Sequence, residues 1–173
     1  MSEHRDVQSE RLPKDRYAEH FVDIKPPLTE HQAAVESDRC YFCYDAPCVQ
    51  ACPTGIDIPS FIQKIRSDNL EGSAKDILDA NIFGAMCARV CPVETLCEQA
   101  CVRNTAEDKP VAIGVLQRHA TDNLLQHGTQ LYSRQPSTGK RVAVVGGGPA
   151  GLSCAHRLAM LGNDVVVYEA RPK

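Results

Sequence analysis

Eight of the nine cysteines stand in two groups of four, Cys40/Cys43/Cys48/Cys52 and Cys87/Cys91/Cys97/Cys101, and a proline follows both Cys52 and Cys91. Thiolates in this number and density are ligands for iron-sulfur clusters, whose chemistry is one-electron transfer. Two residues between Cys40 and Cys43 let one turn aim both sulfurs at a common centre, while its backbone N–H groups reach the sulfur atoms. Cys48 adds a third donor after four intervening residues. Zinc ribbons use two matched Cys-x2-Cys pairs, and neither group supplies two such pairs, so iron-sulfur chemistry is favoured over zinc. Disulfide bracing fits less well still, because nothing in the sequence marks an oxidising compartment.

In two-cluster ferredoxins the cysteine before the proline ligates the other cluster, so Cys52 is expected to leave its own group. A cysteine of the second group must then return to complete the site of Cys40, Cys43 and Cys48. That leaves the second site with Cys52 and three local candidates. One of these, Cys87, lies in a mostly apolar stretch and reads equally well as a packed thiol, in which case a ligand is missing. Gln117 stands four residues after Ile113 and three before Ala120, on the inward stripe of its helix. A buried amide needs a partner, and both a cluster ligand and a hydrogen bond to a loop carbonyl remain open for it.

The second chemical motif is GGGPAG, Gly146 to Gly151, between the β-branched run Arg141–Val145 and a helical stretch from Leu152 to Leu161. Gly146 permits the tight turn, Gly148 lets the backbone approach a pyrophosphate, and Gly151 allows helix and strand to pack closely. Pro149 suits a first helical turn, and with Ala150 it opens the helix N-terminus whose free N–H groups face a phosphate. A second strand, Asp164–Tyr168, is expected to be buried, and Glu169 after it is placed to accept from a ribose hydroxyl. Strand, turn, helix and strand make one βαβ unit that binds a dinucleotide. Cys154 within its helix is expected to be a small core residue.

The elements that must position these residues follow from periodicity. Thr29 with Gln32 predicts a capping box and a helix leading to Cys40. Asp57 and Pro59 predict the start of a helix carrying Ile58, Phe61, Ile62 and Ile65, and a break near Asn69 separates it from a second stripe of Leu70, Ala74, Ile77 and Leu78. A further amphipathic helix is expected from about Val111 to Gln126. Short helical hints lie around Asp15 to Phe21. The organisation expected is an N-terminal extension, partly disordered, over residues 1–28, a helical domain over 29–132, a linker over 133–139 and the βαβ unit over 140–173. The fold class is mostly α, a helical two-cluster ferredoxin-like domain followed by the start of a Rossmann-like domain.

Composition narrows the function classes. At 173 residues with a formal net charge of −3, the chain has no basic patch suited to nucleic acid. No run reaches the roughly 18 apolar residues of a membrane span, and the first thirty lack a signal-peptide core, so the expected setting is cytoplasmic and away from membranes. The six histidines show no metal spacing. Tyr41, Phe42 and Tyr44 are expected to shield a cluster from water, and Arg89 and Arg103 to lie near the cluster loops.

The runs CYFCYDAPCVQACPTGIDIPSFIQKI, GAMCARVCPVETLCEQAC and PVAIGVLQRHATD together resemble the N-terminal iron-sulfur domain of the dihydropyrimidine dehydrogenase family, in the form of its bacterial electron-input subunit. The resemblance covers about residues 30–173. It implies one four-iron, four-sulfur (4Fe-4S) cluster on Cys40, Cys43, Cys48 and Cys101, and a second on Cys52, Cys91, Cys97 and the amide oxygen of Gln117, with Cys87 at a position that is not a ligand. The form GGGPAGL with VVVYE resembles the FAD half of glutamate-synthase-like flavoproteins, which implies FAD over NAD at the glycine loop.

On this resemblance the parent oxidoreductase takes hydride from NAD(P)H at FAD. It passes electrons singly through both clusters to a partner subunit, where FMN and a catalytic cysteine reduce uracil or thymine. No residue here is expected to be catalytic in itself, and the chain reads as the front part of a longer polypeptide. Two alternatives stand beside it. One is a glutamate synthase small-subunit-like reductase, less similar because five residues separate Cys91 from Cys97. The other is a cluster-bearing electron carrier or interaction module without catalysis.

Overall fold

In a computed structural model the described residues are Arg16, Glu19 and 26–171. Arg16 and Glu19 are helical; the rest of the expected helix around Asp15–Phe21, and most of the extension, lie outside the described residues.

The first part begins with α1 (Glu30–Asp38), α2 (Pro47–Gln50), α3 (Ile58–Arg66), α4 (Leu70–Ala80), α5 (Gly84–Val90) and, after a 3₁₀ turn at Val93–Thr95, α6 (Arg103–Glu107). The long α7 (Ile113–His127) closes it. Thr29 forms the expected capping box, its hydroxyl accepting from the Gln32 N–H at 3.2 Å while Gln32 Oε1 accepts from the Thr29 N–H at 2.9 Å. Asp57 caps α3 through the Ser60 N–H, and Asn69 caps α4 through the Gly72 N–H, so the predicted break is a pair of abutting helix ends.

Ile58, Phe61, Ile62 and Ile65 are all buried, as are Ala74, Ile77, Ile113, Leu116, Ala120 and Leu124, and these stripes form one core. Each large side chain taken from water in this way contributes roughly 1.5–3 kcal/mol. α4 packs on α3 and α7, α5 on α7, and α1 on α3. Polar ties fix the register: Ser73 Oγ donates to the Phe61 carbonyl at 2.9 Å, and Asp76 takes both Ser60 Oγ at 2.7 Å and Lys64 Nζ at 2.6 Å. The exposed N–H groups at the start of α7 are met from elsewhere, Ala112 N–H by Glu36 at 2.8 Å and Gly114 N–H by Glu98 at 3.0 Å.

The second part is β1 (Arg141–Val145), α8 (Pro149–Met160) and β2 (Asp164–Tyr168), with β1 and β2 parallel in a two-stranded sheet and Val142 opposite Val165. The βαβ unit is as expected, but its strands are not buried. Both alternate exposed and half-covered positions, because α8 covers only one face of the sheet. For the same reason Cys154 is exposed on α8 and is no core residue. The helix also begins at Pro149, a turn earlier than Leu152. The segment 133–139 has no regular structure, yet it is tied down: Gln135 N–H donates to the Met160 carbonyl at 2.9 Å, Thr138 N–H to the Gly162 carbonyl at 3.0 Å, and Arg134 reaches Asp164 at 2.5 Å.

Candidate functional site

Two cavities open among the cysteine-bearing loops. The first is lined by Cys40, Cys43, Cys48 and Cys101, beside the starts of α2 and α3, with Tyr41, Ile58, Ile62 and Val111 around them. Cys101, sixty-one residues beyond Cys40, is thus brought to the first group. The second cavity is lined by Cys52, Cys91, Cys97 and Gln117, and also by Cys87 and Asn81. Cys52 thus lines the cavity of the second group and Cys101 that of the first. Among the described residues no three His, Cys, Asp or Glu side chains converge tightly enough for a single metal ion. The thiols ring open space instead, and this donor set fits a multi-atom cluster at each cavity.

The first loop is shaped by Phe42, which adopts φ 52°, a left-handed conformation uncommon for a bulky residue. It turns the Phe42 N–H onto Cys40 Sγ at 3.5 Å. Arg39 holds the loop's root: its guanidinium binds Glu36 at 2.6 Å, the Pro110 carbonyl at 2.9 Å and the Lys109 carbonyl at 2.7 Å. Arg103 lines the first cavity, donates to the Arg39 carbonyl at 2.5 Å, pairs with Glu107 and stacks on Tyr41, 4.0 Å from the ring centroid. Arg89, by contrast, is engaged with Asp122 at 2.6 Å. Of the three aromatic residues expected to shield a cluster, Phe42 packs on the core and Tyr41 lines the cavity, whereas Tyr44 stands fully in solvent and shields nothing.

The thiols respond to their burial. It pushes Cys48 up to about 11, helped by the proximity of Cys40 and Cys101. Burial, with the charges of Glu98, Cys91 and Cys52 nearby, pushes Cys97 up to about 12. Cys40 is raised by burial and by its neighbours Cys43 and Cys101, and Cys91 by burial, then Cys87 and Cys52. Cys52 is the opposite case. Burial acts to raise it, but hydrogen bonds from the Ile56, Thr54 and Gly55 backbone and from the Thr54 hydroxyl bring it below the usual thiol value.

Gln117 is buried at 8% exposure. Its Nε2 donates to the Gly84 carbonyl at 2.7 Å, which fixes the amide plane. Both readings of this residue therefore meet in one geometry: the nitrogen has its carbonyl, and the oxygen is left on a residue that lines the second cavity. Cys87 is half-buried and is not sealed in an apolar core, because Asn81 Nδ2 donates to its sulfur at 3.1 Å. Asn81 was not legible as a site residue, since its role depends on a bend between α4 and α5.

At the glycine loop Gly146 has φ 104°, and a Cβ on Gly151 would collide with the Gly146 carbonyl, so strand and helix meet as closely as the motif predicts. Gly148 is the N-cap of α8 without a side-chain cap, and nothing stands over it, which leaves Gly148, Pro149 and Ala150 open at the helix N-terminus. This cradle fits a pyrophosphate. Glu169 lies at the turn, but its carboxylate accepts from the Gly147 N–H at 2.7 Å and the Arg171 N–H at 2.9 Å, contacts that hold it below the usual carboxylate range. A groove runs between the two parts, lined by Thr54, Asn81, Tyr132, Ser153, His156 and Arg157 among others; Thr54 and Asn81 line the second cavity as well.

The profile of the family described as dihydropyrimidine dehydrogenase domain II, 4Fe-4S cluster, matches residues 17–129, and that of the NAD(P)-binding Rossmann-like domain matches residues 144–173. The NAD-dependent dihydropyrimidine dehydrogenase subunit PreT of Salmonella typhimurium and the PreT homolog of Salmonella typhi are each 42% identical over 162 residues, which is 94% of this chain and 38% of theirs. The PreT subunit of Escherichia coli K12 is 42% identical over 158 residues, 91% of this chain and 37% of the relative. The chain thus spans under two fifths of the length of these curated relatives. Among the described residues no helix is long and apolar enough to cross a membrane.

Proposed function

The chain belongs to the dihydropyrimidine dehydrogenase domain II family of 4Fe-4S proteins, and from that premise we propose that it is the cluster-bearing, electron-input portion of an NAD(P)H-dependent oxidoreductase. In this reading Cys40, Cys43, Cys48 and Cys101 hold one 4Fe-4S cluster, and Cys52, Cys91, Cys97 and Gln117 hold a second, both within the helical part over residues 29–132. Each cluster, when bound, takes up and gives up one electron. The residues do the rest. Burial of Cys48 and Cys97 limits water at the sulfurs, the N–H donors at Cys40 and Cys52 orient and stabilise thiolate, and the Gly84 carbonyl holds the Gln117 amide by its nitrogen, which leaves the oxygen as its donor atom.

The Gly146, Gly148, Pro149, Ala150 and Gly151 loop, with Glu169 bracing its turn, holds FAD in the complete protein, with NAD(P)H as its reductant. The groove against the βαβ unit shares Thr54 and Asn81 with the second cavity, which supports the second cluster as the one that would take electrons from a flavin there. Electrons would leave for a catalytic partner subunit carrying FMN, in the cytoplasm, with uracil or thymine as the final acceptor.

The observation that carries this reading is that Cys101 lines the first cavity beside Cys40, Cys43 and Cys48, while Cys52 lines the second beside Cys87, Cys91, Cys97 and Gln117. Anaerobic purification with iron and sulfide analysis and EPR tests it: about eight irons and two cluster signals per chain are expected. A colourless protein that holds only zinc after reconstitution would refute it. For the acceptor, the full complex should oxidise NAD(P)H faster with uracil than with glutamine plus 2-oxoglutarate.

A further inference from the structure

The second cavity holds five donors where a four-iron cube has four corners: Cys52, Cys91, Cys97, Gln117 and Cys87. We propose that Cys87 is the stand-in ligand of the second cluster, taking the corner of Gln117 whenever the amide is withdrawn. The proposal rests on the reading of this cavity as a cluster site and goes beyond it by giving the site two alternative ligand sets.

Three observations point to Cys87. It stands four residues before Cys91, the residue that caps the end of α5, whose N–H donates to the Cys87 carbonyl at 2.9 Å, and both line the second cavity. Its sulfur receives the Asn81 Nδ2–H at 3.1 Å, and Asn81 is itself fixed at its other end, where Oδ1 accepts from the Phe83 N–H at 2.9 Å. A thiol that merely fills space needs no such donor, whereas an amide N–H aimed at sulfur is the usual support of a metal-bound thiolate. Finally, the Gln117 side chain is anchored to the Gly84 carbonyl, on the turn of α5 that precedes Cys87. One short helix therefore carries the thiol and, through the Gly84 carbonyl, anchors the amide that α7 brings to the same cavity.

The exchange is a substitution without oxidation or reduction. The iron–oxygen bond to the amide breaks, an iron–sulfur bond to Cys87 forms, and the thiol proton leaves to solvent. A neutral ligand gives way to an anionic one, so the cluster becomes one charge more negative and its midpoint moves down, in the sense known from all-thiolate against mixed-ligand centres.

The test compares four anaerobically purified proteins, wild type, Gln117→Ala, Cys87→Ala and the double variant, by iron and sulfide content and EPR-monitored redox titration. The proposal expects about eight irons in wild type and in both single variants, with one midpoint shifted negative in Gln117→Ala and neither shifted in Cys87→Ala. The double variant should fall to about four irons, and the surviving first cluster would report that the fold is intact. The proposal is overturned if Gln117→Ala alone drops to about four, if Cys87→Ala alone does so, or if the double variant keeps eight. Wild type with fewer than eight irons would remove the reading beneath it and the proposal together.

Discussion

Gln117 is the residue at which burial, charge and potential meet. It is buried, held by one hydrogen bond to Gly84, and neutral, so in place of a thiolate it would leave its cluster less negative by one charge. Gln117→Cys should lower one midpoint in an EPR titration and leave the other unchanged; equal movement of both would count against amide ligation. The thiols carry a second expectation, for the cluster-free chain. Burial raises Cys48 to about 11 and Cys97 to about 12 from an ordinary value of 9.0. Each folded value lies above the unfolded one, so the stability these thiols contribute is complete below pH 9 and is lost as pH rises through the folded values. Chemical denaturation of the metal-free chain should show a midpoint that falls as pH rises from 9.0 toward about 11. Cys97→Ala should flatten the fall, and a pH-independent midpoint would contradict it. Reconstitution should release protons at pH values below these folded thiol values, because the thiols are protonated there and ligands bind as thiolates.

At the scale of elements, α5 shows what local pattern could and could not reveal. The long stripes of α3, α4 and α7 were legible because four or more apolar residues recur at helical spacing, and the caps at Thr29, Asp57 and Asn69 had side chains able to announce them. The short helices α2 and α6 and the 3₁₀ turn are too brief to show a period, and their place is set by long-range ties such as Arg39 to Pro110 and Arg103 to Arg39. The departure of Cys52 from its own group was legible from the proline after it, and Cys101 as its counterpart came only with the family resemblance. Asn81 was not legible, because its contact depends on how α4 turns into α5. The sheet misled for a physical reason: a β-branched run signals the capacity to be buried, and α8 covers only one face. α5 sits so close to α4 that a Cβ on Gly84 would collide with Ile77. Gly84→Ala must push the helices apart at a cost of about 1–3 kcal/mol, and it displaces the carbonyl that orients Gln117. Denaturation should report the loss in stability, and the second cluster's EPR signal should broaden or disappear while the first remains. An unchanged second signal would separate Gly84 from the site.

The whole molecule depends on how its helical and βαβ parts are held together, and Tyr132 stands at that joint. Its hydroxyl donates to Asp79 on α4 at 2.8 Å, its ring meets His156 on α8 edge-on at 5.6 Å, and Lys75 lies 5.7 Å from its centroid. The following residues are bound to the βαβ unit, so Tyr132 acts as the clasp and 133–139 as part of what is clasped. Burial alone would raise the Asp79 carboxyl, but hydrogen bonds from Lys75 and Tyr132 outweigh it and hold the group below its ordinary 3.8. A depressed carboxylate contributes stability that is present above its ordinary value and lost as pH falls through the folded one. On the alkaline side burial and Asp79 raise the Tyr132 phenol, so its contribution is complete below its ordinary 10.0 and declines above it. The clasp therefore holds across neutral pH and opens toward both extremes. Tyr132→Phe removes one hydrogen bond, about 1 kcal/mol, and keeps the ring contact with His156; Tyr132→Ala removes both. Limited proteolysis between Gln130 and Lys140 should therefore quicken about fivefold in Tyr132→Phe, the ratio that 1 kcal/mol sets for a local opening, and more in Tyr132→Ala. Asp79→Asn should accelerate cleavage at neutral pH and remove its acid dependence. Equal cleavage rates in all four proteins would show that the groove, and not the clasp, sets the distance between the second cavity and the glycine loop.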